Sequence, residues 1–319
     1  MKNRKLAEET ASLATIRDWL RYCVTLFNRE ECFYGQCSDN AYDEAAMLIL
    51  GALKLPHARL EAFLDARLLP SETAALAEMV ARRAFAKEPV PYILKEAWLG
   101  GCSFYVDRRV IVPRSYFTEL IPDQLDAWFP SHDAVGSILD LCTGSGCLAI
   151  LLAHAYPDAR VDAVELSPDA FEVAKTNVER HGLQQRVSLF KGDAFEPLAG
   201  LTYDLIVTNP PYEPASVLSH IPAEFRHEPE MALVSDVDGM GVVNKILHHA
   251  REHLNPGGIL VMEIGGLRER MEGLYTQLDF HWLPLHDGTD AVCLLTAKEL
   301  EKLGPAAGGK PARKKATKT

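Results

Sequence analysis

The sequence predicts an α/β protein: a doubly wound sheet, preceded by a small helical domain and a β-hairpin linker. Three observations carry this expectation. From about residue 115 of the 319, short apolar runs alternate with helical periods, as repeated βα units require. One such run, 137–141, passes directly into the glycine-bearing turn Cys142-Thr143-Gly144-Ser145-Gly146-Cys147 and then a helical stretch. Ahead of residue 90, apolar residues recur at helical spacing alone.

Taken in order, residues 11–28, 41–54, 58–66 and 71–87 show helical periodicity, the last opening at Ser71-Glu72. Lys87-Glu88-Pro89-Val90-Pro91 ends that helix, since proline has no N–H to give. Residues 98–112 alternate, with Gly100-Gly101 and Asp107-Arg108-Arg109 as turns, and read as a hairpin. Strands follow at 137–141, 160–164, 186–190, 203–208, 258–264, 281–285 and 291–296, with Asn255-Pro256-Gly257-Gly258 as a turn before the fifth. The expected domains are 1–95 (helical, substrate recognition), 96–114 (linker), 115–303 (catalytic) and 304–319 (a disordered basic tail).

The chemistry centres on Asn209-Pro210-Pro211-Tyr212, which directly follows an apolar strand. Two prolines cannot continue a ladder, so the chain leaves the sheet at the carboxyl edge, where open α/β sheets bind ligands. Pro-Pro leaves backbone carbonyls with few local donors, and the asparagine adds another acceptor. Such a cluster suits a planar NH2, as in an amide or an aminopurine, and Tyr212 offers a flat face for stacking. Gripping both hydrogens draws the nitrogen lone pair out of conjugation and aims it at an electrophile. A plain Pro-Pro turn is the structural alternative.

A nucleotide-type site lies upstream. Gly144 and Gly146 let the backbone approach a ligand and open a helix with free N–H groups. Glu165 ends the next strand about twenty residues on, where a carboxylate suits a ribose hydroxyl pair. Asp193, after the third strand, is placed to accept from an adenine amino group. Ala149 stands where a dinucleotide fingerprint has its third glycine. A helix-capping role for Glu165, ahead of Ser167-Pro168, is its alternative.

The series Asp140-x-x-x-Gly144-x-Gly146, Glu165, Asp193, Asn209-Pro-Pro-Tyr resembles S-adenosylmethionine-dependent methyltransferases acting on planar amino groups. Within these it resembles the protein-(glutamine-N5) methyltransferases of the HemK-like superfamily, in the PrmB-type branch that modifies the third large-subunit ribosomal protein. The branch is carried by Cys142 and Cys147 in the glycine turn, Phe104-Tyr105-Val106-Asp107, Val112-Pro113-Arg114-Ser115, Phe225-Arg226-His227-Glu228-Pro229-Glu230 and Asp238-Gly239, with Tyr34-Gly35, Asp39-Asn40 and Asp43-Glu44-Ala45 near the start. Tyr116-Phe117-Thr118 departs from it, the branch more often having proline after the serine. The resemblance covers roughly residues 14–300. It implies a seven-stranded, Rossmann-like class I sheet with its last strand antiparallel, and S-adenosylmethionine as cofactor. It further implies a cofactor site of Asp140, Thr143, Gly144, Ser145, Gly146, Cys147, Glu165, Leu166, Asp193, Ala194 and Asn209, with Pro113, Arg114 and Phe117 from the segment before the core. Catalysis falls to Asn209, Pro210, Pro211 and Tyr212. A release-factor glutamine methyltransferase, an adenine-N6 nucleic-acid methyltransferase and a non-catalytic ribosome-assembly factor are the competing readings.

Composition bounds these choices. Net charge is −11, and the tail carries Lys310, Arg313, Lys314, Lys315 and Lys318 without an acid, so the body is more acidic still. An acidic body repels DNA and suits a basic ribosomal protein as partner, free or in assembly intermediates. The tail reads as a solubilising extension in preference to an arm making weak RNA contact. Seven cysteines in no disulfide framework point to reduced thiols and a cytoplasmic protein. No apolar stretch suits a membrane span. No metal site is expected: Cys32 and Cys37 lack a second pair, and His248, His249 and His253 read as a solvated helix face. Glu224, Glu228 and Glu230 are candidates to meet a basic substrate loop, with solvation or pairing to Arg226 and His227 as alternatives.

Overall fold

The computed structural model describes residues 2–304, so the basic tail lies outside the described residues. Six helices open the chain: α1 (Lys2–Thr10), α2 (Ile16–Arg29), α3 (Ala41–Leu53), α4 (Leu60–Phe63), α5 (Pro70–Ala86) and α6 (Val90–Leu94). Local chemistry fixes their starts. The Thr15 side chain accepts the Asp18 N–H while Asp18 accepts that of Thr15, so α2 begins at 16 and not 11. Asn40 caps α3 through the Asp43 N–H, and Pro70 occupies the first turn of α5, where no N–H is needed. α5 stops at Lys87, which turns left-handed (φ 57°). The sequence did not announce α1, whose polar surface buries little beyond Leu6 and Thr10. α6 forms in spite of Pro91, again a first-turn residue. The stretch 58–66 yields only α4 and a preceding 3₁₀ turn. Trp19, Phe27, Leu48, Ile49 and Val80 lie in one core among these helices.

The hairpin is shorter than predicted. β1 (Ala97–Leu99) and β2 (Cys102–Phe104) pair about Gly100-Gly101, and pairing ends there. Asn177 explains why: its side-chain oxygen accepts the Tyr105 N–H (2.7 Å) and its amide donates to the Tyr105 carbonyl (3.0 Å), occupying the groups a ladder would need.

Two short helices, α7 (Phe117–Leu120) and α8 (Asp123–Asp126), lead into the βα alternation. It runs β3 (Ser137–Leu141), α9 (Cys147–Ala155), β4 (Arg160–Glu165), α10 (Pro168–Arg180), β5 (Val187–Lys191), β6 (Tyr203–Thr208), α11 (Glu230–Leu233), α12 (Gly241–Ala250), β7 (Leu254–Glu263), α13 (Arg268–Leu274), β8 (His281–Trp282), β9 (Val292–Thr296) and α14 (Ala297–Leu300). The seven strands β3 to β9 form one sheet in the order β5-β4-β3-β6-β7-β9-β8, with β9 antiparallel to both neighbours, as the resemblance implied. Asn255–Gly258 does not end before β7 but bulges within it: Leu254 pairs with Tyr203 and Ile259 already with Leu205. Ile138, Val161 and Val207 join the core on the α9 face; Leu139, Ile206 and Leu260 join that on the α12 face.

Register fixes the site. Leu141 pairs with Val164 on one side and Thr208 on the other, and Thr208 pairs with Met262. The next residues, Glu165, Cys142, Asn209 and Glu263, therefore form one row along the carboxyl edge. Crossovers run to opposite sides of the sheet from β3, and such a switch point opens a crevice at this edge.

Candidate active site

Asn209 is half-buried at the end of β6. Its Nδ2 donates to Oε1 of Glu263 (2.9 Å). The other oxygen of Glu263 accepts the Ser115 hydroxyl (2.5 Å) and the Tyr116 N–H (3.0 Å). Burial pushes the Glu263 carboxyl up to about 7. Tyr212 is boxed in by two glycines: a Cβ at Gly239 (φ 81°) would stand 2.3 Å from its carbonyl oxygen, and one at Gly265 (φ 52°) 2.5 Å from its ring. Burial raises the Tyr212 phenol well above its usual range.

The glycine turn follows β3, the strand next to β6. Cys142 (φ 60°), Gly144 (φ 56°) and Gly146 (φ 79°) all adopt left-handed backbone. A Cβ on Gly144 would meet nothing nearer than 4.0 Å, so the space over it is open for a ligand. Glu165 is buried, with its carboxyl raised by burial; its oxygens accept the N–H groups of Gly144 (2.8 Å) and Ser167 (2.7 Å). Carboxylate oxygens have further lone pairs, so this bonding leaves acceptor capacity for a ribose. Ala194 is also left-handed (φ 51°), and Asp193 forms an ion pair with Lys245.

Two cavities share this edge. One of about 270 Å³ is lined by Gly144, Glu165, Leu166, Asp193 and Ala194. The other, of about 580 Å³, is lined by Pro210, Tyr212, Glu263, Ser115 and, from the helical unit, Phe33. Asn209 and Pro211 line both.

The remaining implied site residues stand elsewhere. Asp140 is fully buried and faces α9: it accepts the Thr143 hydroxyl (2.5 Å) and the Ala149 N–H (3.0 Å), so it braces the turn and touches neither cavity. Thr143, Ser145, Gly146 and Cys147 shape the turn from behind; the Asn177 amide holds the Ser145 carbonyl (2.8 Å). Phe117 is a fully buried core residue, because the aromatic ring packs on the α9 side of the sheet. Arg114 lines the larger cavity and clasps Glu228 through its two terminal guanidinium nitrogens (2.7 and 2.8 Å).

The acids proposed for a substrate loop also need correcting. Glu224 and Glu228 are buried and already neutralised, though not by Arg226 or His227. Glu224 accepts Arg83 (2.9 Å) and the Phe33 N–H (2.9 Å), while Glu228 accepts Arg114, Gln36 (2.9 Å) and the Val112 N–H (3.1 Å). Only Glu230 of the three is exposed. His253 is buried and not solvated, stacked on Phe195 with Nδ1 2.9 Å from the Leu201 carbonyl. Among the described residues Cys102, His154 and His181 bring potential ligand atoms within 4.8 Å, away from both cavities. Both His181 nitrogens are engaged, by the Ser103 carbonyl and by His154. Sequence reasoning missed Glu263, Asn177 and Arg83; a carboxylate closing the apolar run of β7 was the available signal for the first.

Residues 124–266 match the methyltransferase small domain model. The ribosomal protein uL3 glutamine methyltransferase of Burkholderia pseudomallei (strain K96243) is 47% identical over 302 residues, 92% of this chain and 97% of that one. Its counterpart in Neisseria meningitidis serogroup A (strain Z2491) is 49% identical over 288 residues, 90% and 95% of the two chains. In Bordetella pertussis (strain Tohama I) the identity is 46% over 288 residues, 90% and 97%. The chain belongs to the uL3 glutamine methyltransferase family. It is accordingly a methyltransferase whose methyl donor is S-adenosylmethionine, and the open, glycine-lined cavity beside Glu165 fits that donor. Among the described residues no helix is long and apolar enough to cross a membrane.

Proposed function

We propose that the protein methylates the side-chain nitrogen of a glutamine in ribosomal protein uL3. The observation that carries this reading is the wall formed by Asn209 and Pro211, which belongs to both cavities. A donor over Gly144 and an amide over Tyr212 meet at that shared wall. Glu165 would take the ribose hydroxyls, Asp193 and Ala194 the adenine, and the backbone at Gly144 would pass under the methionine portion. Bound S-adenosylmethionine supplies an electrophilic sulfonium methyl. Asn209 accepts one amide hydrogen and the Pro210 carbonyl the other, holding the nitrogen lone pair toward that methyl. The amide nitrogen would take the methyl group from the sulfonium, and one amide proton would leave to water. No enzyme nucleophile takes part.

Selection of the glutamine falls to the helical unit (1–95), which contributes Phe33 to the larger cavity, and to the segment 213–230. The linker (96–114) joins it to the catalytic unit (115–303), and the acidic body favours a basic protein over DNA. The protein works in the cytoplasm on uL3, free or in assembly intermediates. Purified enzyme, labelled S-adenosylmethionine and uL3 test this directly. Mass spectrometry should place the methyl group on a uL3 glutamine. A label on a release factor, on adenine or on no glutamine at all defeats the assignment.

A further inference from the structure

Three donors and no acceptor surround the Glu263 carboxylate. The Tyr116 N–H is backbone and can only donate. The Ser115 oxygen already accepts the Phe117 N–H (3.1 Å), which directs its own proton to Glu263. One carboxylate oxygen is thus committed to accepting from 115–116, and above about pH 7, where Glu263 is ionised, its carboxylate has no proton for its other contact. Asn209 must therefore turn its NH2 toward Glu263. Its carbonyl oxygen makes no hydrogen bond within the described residues and is left to the cavities that Asn209 lines. The two ends of an asparagine amide are nearly the same size, so such neighbours decide which end faces where.

We propose that Glu263 is a positioning residue: it sets the amide orientation of Asn209, so that a carbonyl and not an NH2 meets the substrate nitrogen. The proposal rests on the glutamine reading above. Its consequence is specific. Glutamine at 263 keeps the shape of the side chain, but its carbonyl must stay with the Ser115 and Tyr116 donors. Its NH2 then faces Asn209, which flips to accept, and the flipped residue sets NH2 against the substrate NH2. Aspartate at 209 repairs the fault, accepting from the glutamine at 263 with one oxygen and offering the other to the substrate. The exchanged pair carries the same net charge as the native one.

The test uses the full chain with uL3 and labelled S-adenosylmethionine, comparing Glu263→Gln, Asn209→Asp and the double variant. Glu263→Gln should lower kcat about a hundredfold, the scale of a lost transition-state contact, with donor Kd within about twofold of native. Asn209→Asp alone, with two carboxylates facing, should also be slow. The double variant should exceed both singles by about tenfold or more, the sign of direct coupling. Near-native turnover by Glu263→Gln, or a double variant no faster than the better single, overturns the proposal. Should Glu263→Gln alone fail to fold, the double variant decides: active supports the pairing, inactive refutes it. The wild-type product is analysed first, and a methyl group on anything but a glutamine defeats the substrate reading separately.

Discussion

Asn209→Ala removes the acceptor that both cavities share. Turnover should fall about a hundredfold or more, as for a lost oxyanion-type contact, while donor affinity measured by calorimetry changes little. Glu165→Ala should do the reverse, weakening S-adenosylmethionine binding with an unchanged melting profile. Glu263 has a separate signature in stability. Its carboxyl ionises near 4.5 when unfolded and about 7 when folded, so the native state holds a proton that the unfolded chain has released. Stability from this group is complete below about 4.5, declines as pH rises toward about 7, and then levels off. Asp140, raised by burial from 3.8 to about 7, adds a decline of the same sign. Glu263→Gln should therefore unfold at higher urea than wild type at pH 8 while turning over far more slowly. A loss of stability at pH 8 would contradict the burial argument. An ionised group that weakens the fold and is kept at the reacting edge is one retained for the reaction.

At the scale of elements, Gly239 and Gly265 hold the Tyr212 turn by what they lack. Gly239→Ala puts a Cβ against the Tyr212 carbonyl and forces left-handed backbone, an effect of about 1–2 kcal/mol before any clash. Activity should fall more than stability, whereas Gly266→Ala, with nothing within 4 Å, should leave both near native; kcat and urea midpoints measure the contrast. Strand ends were the legible part of this site. The same reasoning that found Glu165, Asp193 and Asn209 passed over Glu263 because β7 was read through Ile264, which made the carboxylate look interior. Asp140 came with the resemblance alone: alternation along β3 puts it with Ile138, facing α9, where it braces the glycine turn. Glu224 and Glu228 could not be told from solvated acids, since Arg83 and Arg114 are 141 and 114 residues distant in sequence. The hairpin was overextended because nothing local reports that Asn177 occupies the Tyr105 backbone.

For the whole molecule, Arg83 is the tie between the helical unit and the active edge. Its fully buried guanidinium joins Glu44 of α3 (2.7 Å), Glu224 and the Phe33 carbonyl (2.8 Å). Arg83→Met leaves two buried carboxylates without their cation, so stability should drop by about 3–5 kcal/mol. The segment 213–230 should loosen with it, seen as faster amide exchange there and a raised KM for uL3. Unaltered exchange would mean that the tie does not hold the segment. The row formed by Glu165, Cys142, Asn209 and Glu263 also limits how this protein can change length over evolutionary time. One residue inserted within β3, β4, β6 or β7 would shift its member off the row and turn it to the opposite face of the sheet. Insertions between Glu213 and Glu230 leave the row untouched. Lineages should therefore diverge in the length of the segment that meets the substrate and keep four strand lengths fixed, altering which glutamine is chosen without altering how its nitrogen is held.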